Sequence, residues 1–217
     1  MFLVGDVISA GWEDTKKHFG LMLGALLLMM VCSTILNVMI GGGIGFAAAM
    51  LKNEYLTLGG QIASQITSLC VNTYFQIGMI ALSLKVVRGE PAEISDLFSQ
   101  THKLVPAIVA SILTGIGVVM GMFALCIGGL FVWALLSFTM YFIVDRDLDA
   151  IPALQASVEV AKGNLGGIFG FWLAAMALGF LGLIPCGLGL LVVMPMINLA
   201  MAHIYLAVSD TVPMDDF

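Results

Sequence analysis

Six long apolar stretches constrain this chain more than any other feature of its sequence. A helix needs about 20 mostly apolar residues to cross the hydrocarbon core of a bilayer. The chain has 217 residues, of which 60% are hydrophobic and only 10% are charged, against roughly 25% charged residues in soluble domains. A soluble fold is therefore excluded, and the sequence predicts an all-α integral membrane protein that forms one membrane domain over residues 1–217. The predicted spans are about 19–40, 56–84, 104–126, 127–144, 165–185 and 187–208.

Short turn sequences divide the last four spans into two pairs. Cys-Ile-Gly-Gly at 126–129 separates the third span from the fourth, and Pro-Cys-Gly at 185–187 separates the fifth from the sixth. Gly and Pro are the strongest local breakers of regular structure. We therefore expect tight helical hairpins here, which together with the first two spans make three hairpins.

An amphipathic segment that is too polar to span precedes each predicted hairpin. Apolar residues recur at spacings of three to four within 2–18, 92–103 and 150–163, which is typical of one helical face. The sequence thus predicts three interfacial helices on the cytoplasmic side. Their mixed or acidic charge favours helices that lie in the headgroup plane and set the entry angle of each hairpin. The alternative is a collar that gates the bundle or docks a partner.

The second span has a predicted end just beyond the membrane boundary. Lys85 and Arg88 suit the negative end of the helix dipole, and Gly89 can adopt the left-handed cap conformation. Pro91 prevents the helix from continuing. This motif is explained as a helix stop without invoking an active site.

The basic residues predict how the chain is oriented. Lys and Arg are enriched in short cytoplasmic loops of membrane proteins. Of the eight basic residues, only Lys52 falls on the side opposite to the rest. The sequence therefore predicts a multi-pass protein of the cell inner (cytoplasmic) membrane, with both termini in the cytoplasm and the first span retained as an anchor. The other seven are Lys16, Lys17, Lys85, Arg88, Lys103, Arg146 and Lys162.

The charge pattern and the missing ionisable residues exclude several function classes. The net charge is −6 and no Lys or Arg run occurs, which argues against nucleic acid and leaves the lipid bilayer and another membrane protein or complex as expected partners. Asp, Glu, Lys and Arg are missing from the centres of the predicted spans, where intramembrane catalysis would need them. His18, His102 and His203 lack metal-ligand spacing. We expect no enzymatic activity, no catalytic residue, no metal site and no cofactor.

The second span carries a polar face. Gln61, Gln65, Ser68, Asn72 and Gln76 recur at steps of three and four residues, which places them along one side of a helix. Amides facing lipid are costly, so this face should meet other helices or water. It is either the wall of a polar cavity or conduction path, or a seam of interhelical hydrogen bonds. The candidate polar face comprises Gln65, Ser68, Asn72 and Gln76, with Asn37 of the first span and Asn198 of the last.

The four cysteines fall into two groups. Cys32 and Cys70 lie within predicted spans and should pack as small apolar residues. Cys126 and Cys186 lie at the tips of the two tight hairpins, on the side away from the cytoplasm. A disulfide between these tips would clamp the hairpins together in an oxidising compartment; the alternative is a small residue at each crowded turn.

Several short motifs carry a family resemblance. The stretches 74–79, 84–91 and 94–98, and the later run 156–164, resemble those of multi-span bacterial membrane proteins of the YciC-like group. This group includes the membrane domain fused to some bacterial glycerophosphodiester phosphodiesterases. The resemblance implies about six spans and a link to envelope or lipid homeostasis. It carries over no catalytic residue, because the phosphodiesterase chemistry belongs to a separate soluble domain.

The sequence leaves two classes of function open. The first is a non-enzymatic inner-membrane protein with an accessory or lipid-homeostasis role, alone or as a subunit of a membrane assembly. The alternative is a channel or uniporter for a small neutral or polar solute, which would use the polar face of the second span.

Overall fold

The computed structural model describes residues 3–51, 54–124, 128–184 and 187–209. Within these ranges the chain is helical and contains no strand. Six helical stretches are long and apolar enough to cross a membrane, so the prediction of an all-α polytopic membrane protein is confirmed. These stretches are Phe19–Ile40, Thr57–Arg88, Ile94–Phe123, Gly128–Arg146, Ala150–Leu183 and Leu190–Ser209.

Nine α-helices make up most of the described structure. A five-residue π-helix, Val38–Gly42, joins α2 to α3, and a turn at 136–138 separates α6 from α7. The helices are α1 (Val4–Lys17), α2 (Phe19–Asn37), α3 (Gly43–Leu51), α4 (Glu54–Arg88), α5 (Leu104–Ala124), α6 (Gly128–Leu135), α7 (Thr139–Arg146), α8 (Ala150–Leu183) and α9 (Leu190–Ser209).

The end of α4 matches the predicted helix stop. Gly89 is left-handed, with φ +72°. The Glu90 amide donates to the Lys85 carbonyl at 3.0 Å, and the Gly89 amide donates to the Val86 carbonyl at 3.1 Å. This is the Schellman pattern, which satisfies the last carbonyls of a helix.

Residues 94–103 form two 3-10 helices, Ile94–Phe98 and Thr101–Lys103, instead of the amphipathic α-helix expected over 92–103. The first begins at Glu93, whose amide donates to the Asp96 carboxylate at 2.8 Å. Leu97 is fully buried, and its backbone lies against Gly78 of α4. Because this tertiary contact holds the chain close to α4, the segment takes the tighter helical form.

In the two other segments expected to be interfacial, 2–18 and 150–163, the structure has α1 and the first part of α8, and both pack into the bundle. In α1, Gly11 approaches α9 so closely that a Cβ there would lie 2.9 Å from the Met196 carbonyl oxygen. In α8, the buried Ser157 hydroxyl donates to the Leu135 carbonyl at 2.8 Å. The Ser157 oxygen also accepts a hydrogen bond from the Phe138 amide at 3.2 Å. Ser157 thus provides partners for two backbone polar groups at the break between α6 and α7.

A bend at Asn164 divides α8 where the predicted interfacial helix meets the predicted span. Asn164 has non-helical angles of φ −130° and ψ 15°, and its amide donates to the Val160 carbonyl at 3.1 Å. α8 packs against both α7 and α9, and after the bend its Gly182 meets Leu190 at the start of α9.

Small residues allow close helix packing in the core and near the turns. A Cβ on Gly189 would lie 2.7 Å from the Gly182 Cα, and one on Gly121 would lie 2.9 Å from the Gly128 carbonyl oxygen. In lipid, hydrophobic burial does not drive helices together, because the lipid tails are as apolar as the side chains. Close backbone packing of this kind stabilises helix association instead. The larger core cluster centres on Phe138, Phe142 and Tyr205, where α7 meets α9.

Candidate intramembrane binding site

A cavity of about 570 Å³ lies between α4, α5, α6, α7 and α9. Its volume falls within the range of small-molecule sites in proteins. Uncharged polar side chains contribute to its wall, and no Asp, Glu, Lys, Arg or His of the described ranges lines it. We call it the polar cavity. Its polar lining includes Gln76, Ser111, Thr114, Ser137, Thr139 and Asn198.

Short hydrogen bonds position the hydroxyl groups around the polar cavity. Ser111 donates to the Ala107 carbonyl at 2.9 Å, one turn earlier in α5. Ser137 and Thr139 likewise donate at 2.9 Å, to the carbonyls of Ala134 in α6 and of Leu136 in the turn that follows it. These donors are therefore satisfied by nearby backbone carbonyls, and each oxygen retains lone-pair capacity as an acceptor.

A second, apolar groove of about 430 Å³ lies between α6, α8 and α9. Phe169, Met176 and Val193 are among the side chains that line it. We call it the apolar groove. It shares four residues with the polar cavity, so the two adjoin within the bundle: Trp133, Trp172, Ile197 and Asn198.

Two tryptophans form the shared wall. The rings of Trp133 and Trp172 have centroids 4.1 Å apart and planes inclined at 49°. The Trp172 indole nitrogen is buried and makes no hydrogen bond within the described part of the chain. An aromatic pair with a polar edge suits a junction between apolar and polar surroundings.

The candidate polar face divides between two environments. Ser68 donates to the Asn37 side-chain oxygen, and Asn37 donates to the Ser33 carbonyl at 2.8 Å. Ser33 donates to the Asn72 side-chain oxygen at 3.5 Å, so these residues form a seam between α2 and α4. Gln76 instead lines the polar cavity together with Asn198, which donates to the Met194 carbonyl at 3.0 Å. Gln65 is exposed and does not line the cavity.

Sequence reasoning missed the tryptophan pair and the serine and threonine hydroxyls of the site. Trp133 and Trp172 are two of only three tryptophans in the chain. That scarcity was the one available signal, since 39 positions separate them and only the packing of α6 against α8 brings them together.

Ion pairs tie the helices together at one end of the bundle, which we call the charged end. Arg88 Nη2 lies 2.5 Å from Asp145 Oδ1, and Asp145 Oδ2 accepts from the Tyr205 hydroxyl at 3.1 Å. Lys85 pairs with Asp96 at 2.6 Å. These contacts join the ends of α4, α7 and α9 to the first 3-10 helix.

Lys103 fixes the turn between α7 and α8 at the same end. Its ammonium lies 2.7 Å from the Asp147 carboxylate and donates to the Val144 carbonyl at 2.5 Å. The Lys103 hydrogen bond lowers the pKa of the Asp147 carboxyl below its ordinary value, and the nearby His102 acts in the same direction.

The histidines and cysteines do not converge on a site in the described structure. His203 Nε2 lies 2.7 Å from Asp14 Oδ2, which connects α9 to α1, while His102 lies 3.8 Å from Asp147. Among the described residues, no three His, Cys, Asp or Glu side chains are grouped for a metal. Cys32 and Cys70 are free and half-buried. Cys126 and Cys186, proposed as a disulfide, lie outside the described residues.

Comparison with known proteins gives distant mycobacterial relatives. The chain is 23% identical to "Uncharacterized protein Rv2560" of Mycobacterium tuberculosis over 224 aligned positions, covering 94% of this chain and 67% of that protein. The same identity and coverage hold for "Uncharacterized protein Mb2590" of Mycobacterium bovis. No family model matches the chain, and no solved structure matches it significantly.

Proposed function

We propose that this protein is a non-enzymatic component of a bacterial inner membrane that holds a membrane lipid within its bundle and serves lipid homeostasis. The observation that carries the proposal is the shared wall at Trp133 and Trp172, where the apolar groove adjoins the polar cavity. An acyl chain suits the groove, because apart from Asn198 and Gly179 its lining is aliphatic and aromatic. A lipid headgroup region suits the cavity, because polar groups there would otherwise face hydrocarbon. The resemblance to the YciC-like group points to the same role.

The proposed arrangement places the charged end in the cytoplasm. Lys85, Arg88 and Lys103 lie at that end, and Lys and Arg are enriched in short cytoplasmic loops. With six crossings, both termini would be cytoplasmic.

A small-solute channel is the second candidate, and the uncharged polar lining of the cavity favours it. Gln76 and Asn198 would contact such a solute. However, Asn37, Ser68 and Asn72 bond across the α2–α4 seam, so the polar face does not continue as one conduit wall. The lipid proposal accounts for both the groove and the cavity, and we prefer it for that reason.

Native mass spectrometry of the protein extracted in a mild detergent tests the proposal. We expect a lipid bound at a fixed ratio, and we expect Gly179→Leu to remove it. Gly179 lines the apolar groove, and a Cβ there meets no other atom within 4 Å, so the new side chain should fill the groove without disturbing α8.

Gly166→Leu is the matched control, because Gly166 is also in α8 with free space around its Cβ but does not line the groove. Wild-type protein without retained lipid, or equal retention in both variants, would contradict the proposal. A fixed-ratio protein partner in place of lipid would instead identify the chain as a subunit of an assembly. Flux of a small neutral solute into proteoliposomes that Gln76→Leu abolishes would favour the channel.

A further inference from the structure

We infer that the lipid bound at this site has an uncharged headgroup with at least one free hydroxyl, as diacylglycerol has, and that Gln76 and Asn198 recognise that headgroup. The inference rests on the proposed lipid-binding function and specifies its ligand. It is argued from the charge and the hydrogen-bonding capacity of the polar cavity.

The charge of the site argues against an anionic phospholipid. Among the described residues, no basic side chain lines the polar cavity, and burying a phosphate without a cation carries a large desolvation cost. At the charged end, Arg88 and Lys85 lie 2.5 and 2.6 Å from carboxylates. Lys103 is likewise paired, with Asp147 at 2.7 Å. These cations are therefore already neutralised by acidic partners.

The hydrogen-bonding capacity of the lining favours a ligand that donates as well as accepts. Ser111, Ser137 and Thr139 already donate to backbone carbonyls, so they offer the cavity acceptor oxygens. Gln76 adds an amide that both donates and accepts. A phosphodiester can only accept, whereas a hydroxyl does both. An uncharged headgroup with at least one free hydroxyl therefore matches this lining better than a phosphate does.

The tryptophan pair provides a local reporter of the bound lipid. Trp12 is the remaining tryptophan and is exposed on α1, so Trp12→Phe leaves fluorescence only from the shared wall. This protein would be placed in phosphatidylcholine bicelles that contain brominated diacylglycerol or brominated phosphatidylglycerol at the same mole fraction. Bromine quenches tryptophan at close range, and brominated phosphatidylcholine gives the level for bulk lipid.

We expect diacylglycerol to quench well above the bulk level and more strongly than phosphatidylglycerol. Gln76→Leu and Asn198→Leu should each raise the diacylglycerol mole fraction needed for half-maximal quenching about fivefold, the effect of losing one net hydrogen bond. Gln76→Leu should do so without changing the apolar groove, which Gln76 does not line. Gln65→Leu, in the same helix but outside the cavity, should change nothing. Gln76→Met replaces Gln76→Leu if the latter does not elute as a monodisperse species.

The possible failures are distinguishable. Equal quenching above bulk by the neutral and the anionic lipid would overturn the headgroup inference and leave the lipid-binding function standing. Quenching that the Gln76 and Asn198 variants leave unchanged would also overturn the inference. If neither lipid quenched above the bulk level, the proposed function itself would be wrong.

Discussion

Asp145 is the carboxylate of the charged end that joins α7 to both α4 and α9. Its side chain is only 6% exposed, and it accepts hydrogen bonds from Arg88 and Tyr205. We predict that Asp145→Asn lowers the free energy of unfolding in detergent by about 2 kcal/mol, because a hydrogen bond to a charged group contributes about 1.5–3 kcal/mol. A denaturant titration followed by circular dichroism would measure this.

Tyr205→Phe is the matched control for Asp145→Asn. It removes one hydrogen bond to the carboxylate and keeps the ring, which packs edge-on against Phe142 with centroids 5.2 Å apart. The decrease in the free energy of unfolding should be smaller for Tyr205→Phe than for Asp145→Asn. An equal or larger loss would mean that the Arg88 pair adds little.

Gly78 is a second position where adding a single carbon atom should change the stability of the protein. A Cβ there would overlap the carbonyl group of Leu97, which is backbone and has little freedom to move. We predict that Gly78→Ala destabilises the protein by about 1–3 kcal/mol, the usual cost of overpacking. In Gly20→Ala the Cβ meets nothing within 4 Å, so higher helix propensity should leave stability unchanged or slightly raised. Thermal melts should show a lower melting temperature for Gly78→Ala and no decrease for Gly20→Ala, and an equal decrease in both would contradict the proposed contact.

The candidate polar face has two separable roles, one in the α2–α4 seam and one in the polar cavity. We predict that Asn37→Ala lowers stability by about 0.6 kcal/mol, the mean for interhelical hydrogen bonds in membranes, because Ser68 and Ser33 lose a partner. Gln76→Ala should leave stability unchanged, since its side chain is exposed in the cavity. Unfolding titrations of both variants test this, and a larger loss for Gln76→Ala would show that it also packs.

The turn between α7 and α8 should respond to pH in a defined direction. Because Lys103 lowers the pKa of Asp147 in the folded state, the ionised carboxylate stabilises the fold above its ordinary pKa of about 3.9. This contribution is lost as the pH falls through the lowered value. Asp147→Asn keeps a residue that tolerates the left-handed conformation at φ 53°.

We predict that Asp147→Asn lowers the melting temperature at pH 7 by about 1–3 °C, a small effect because Asp147 is 71% exposed. The difference from wild type should persist at pH 5 and disappear only below pH 3.9. A difference that had already vanished at pH 5 would contradict the role assigned to the Asp147 carboxylate.

The elements themselves differ in how far the sequence predicted them. The six spans were predictable, because a crossing helix needs an uninterrupted apolar run, and the stop at Gly89 followed from local backbone chemistry. The 3-10 helices at 94–103 were not predictable, because Leu97 and Lys85 hold that segment through tertiary contacts. Gln76 was identified from its spacing, whereas the isolated hydroxyls of Ser111 and Ser137 give no periodic signal before the helices pack.

Six crossings require the α1 segment and the α4–α5 connection to lie on the same side of the membrane. The α8–α9 turn must then lie on the other side. We predict that Glu13→Cys and Glu90→Cys share one accessibility and Leu188→Cys has the opposite one, in a background without Cys32, Cys70, Cys126 and Cys186. All three positions are exposed.

A membrane-impermeant maleimide applied to spheroplasts would measure this sidedness. With the charged end in the cytoplasm, as proposed, Leu188→Cys should react at once, and the two glutamate variants should react only after the membrane is permeabilised. The reverse pattern would keep six crossings and invert the orientation. Labelling of Glu13→Cys and Glu90→Cys from opposite sides would require an odd number of crossings between them, and α2 and α4 could then not both span the bilayer.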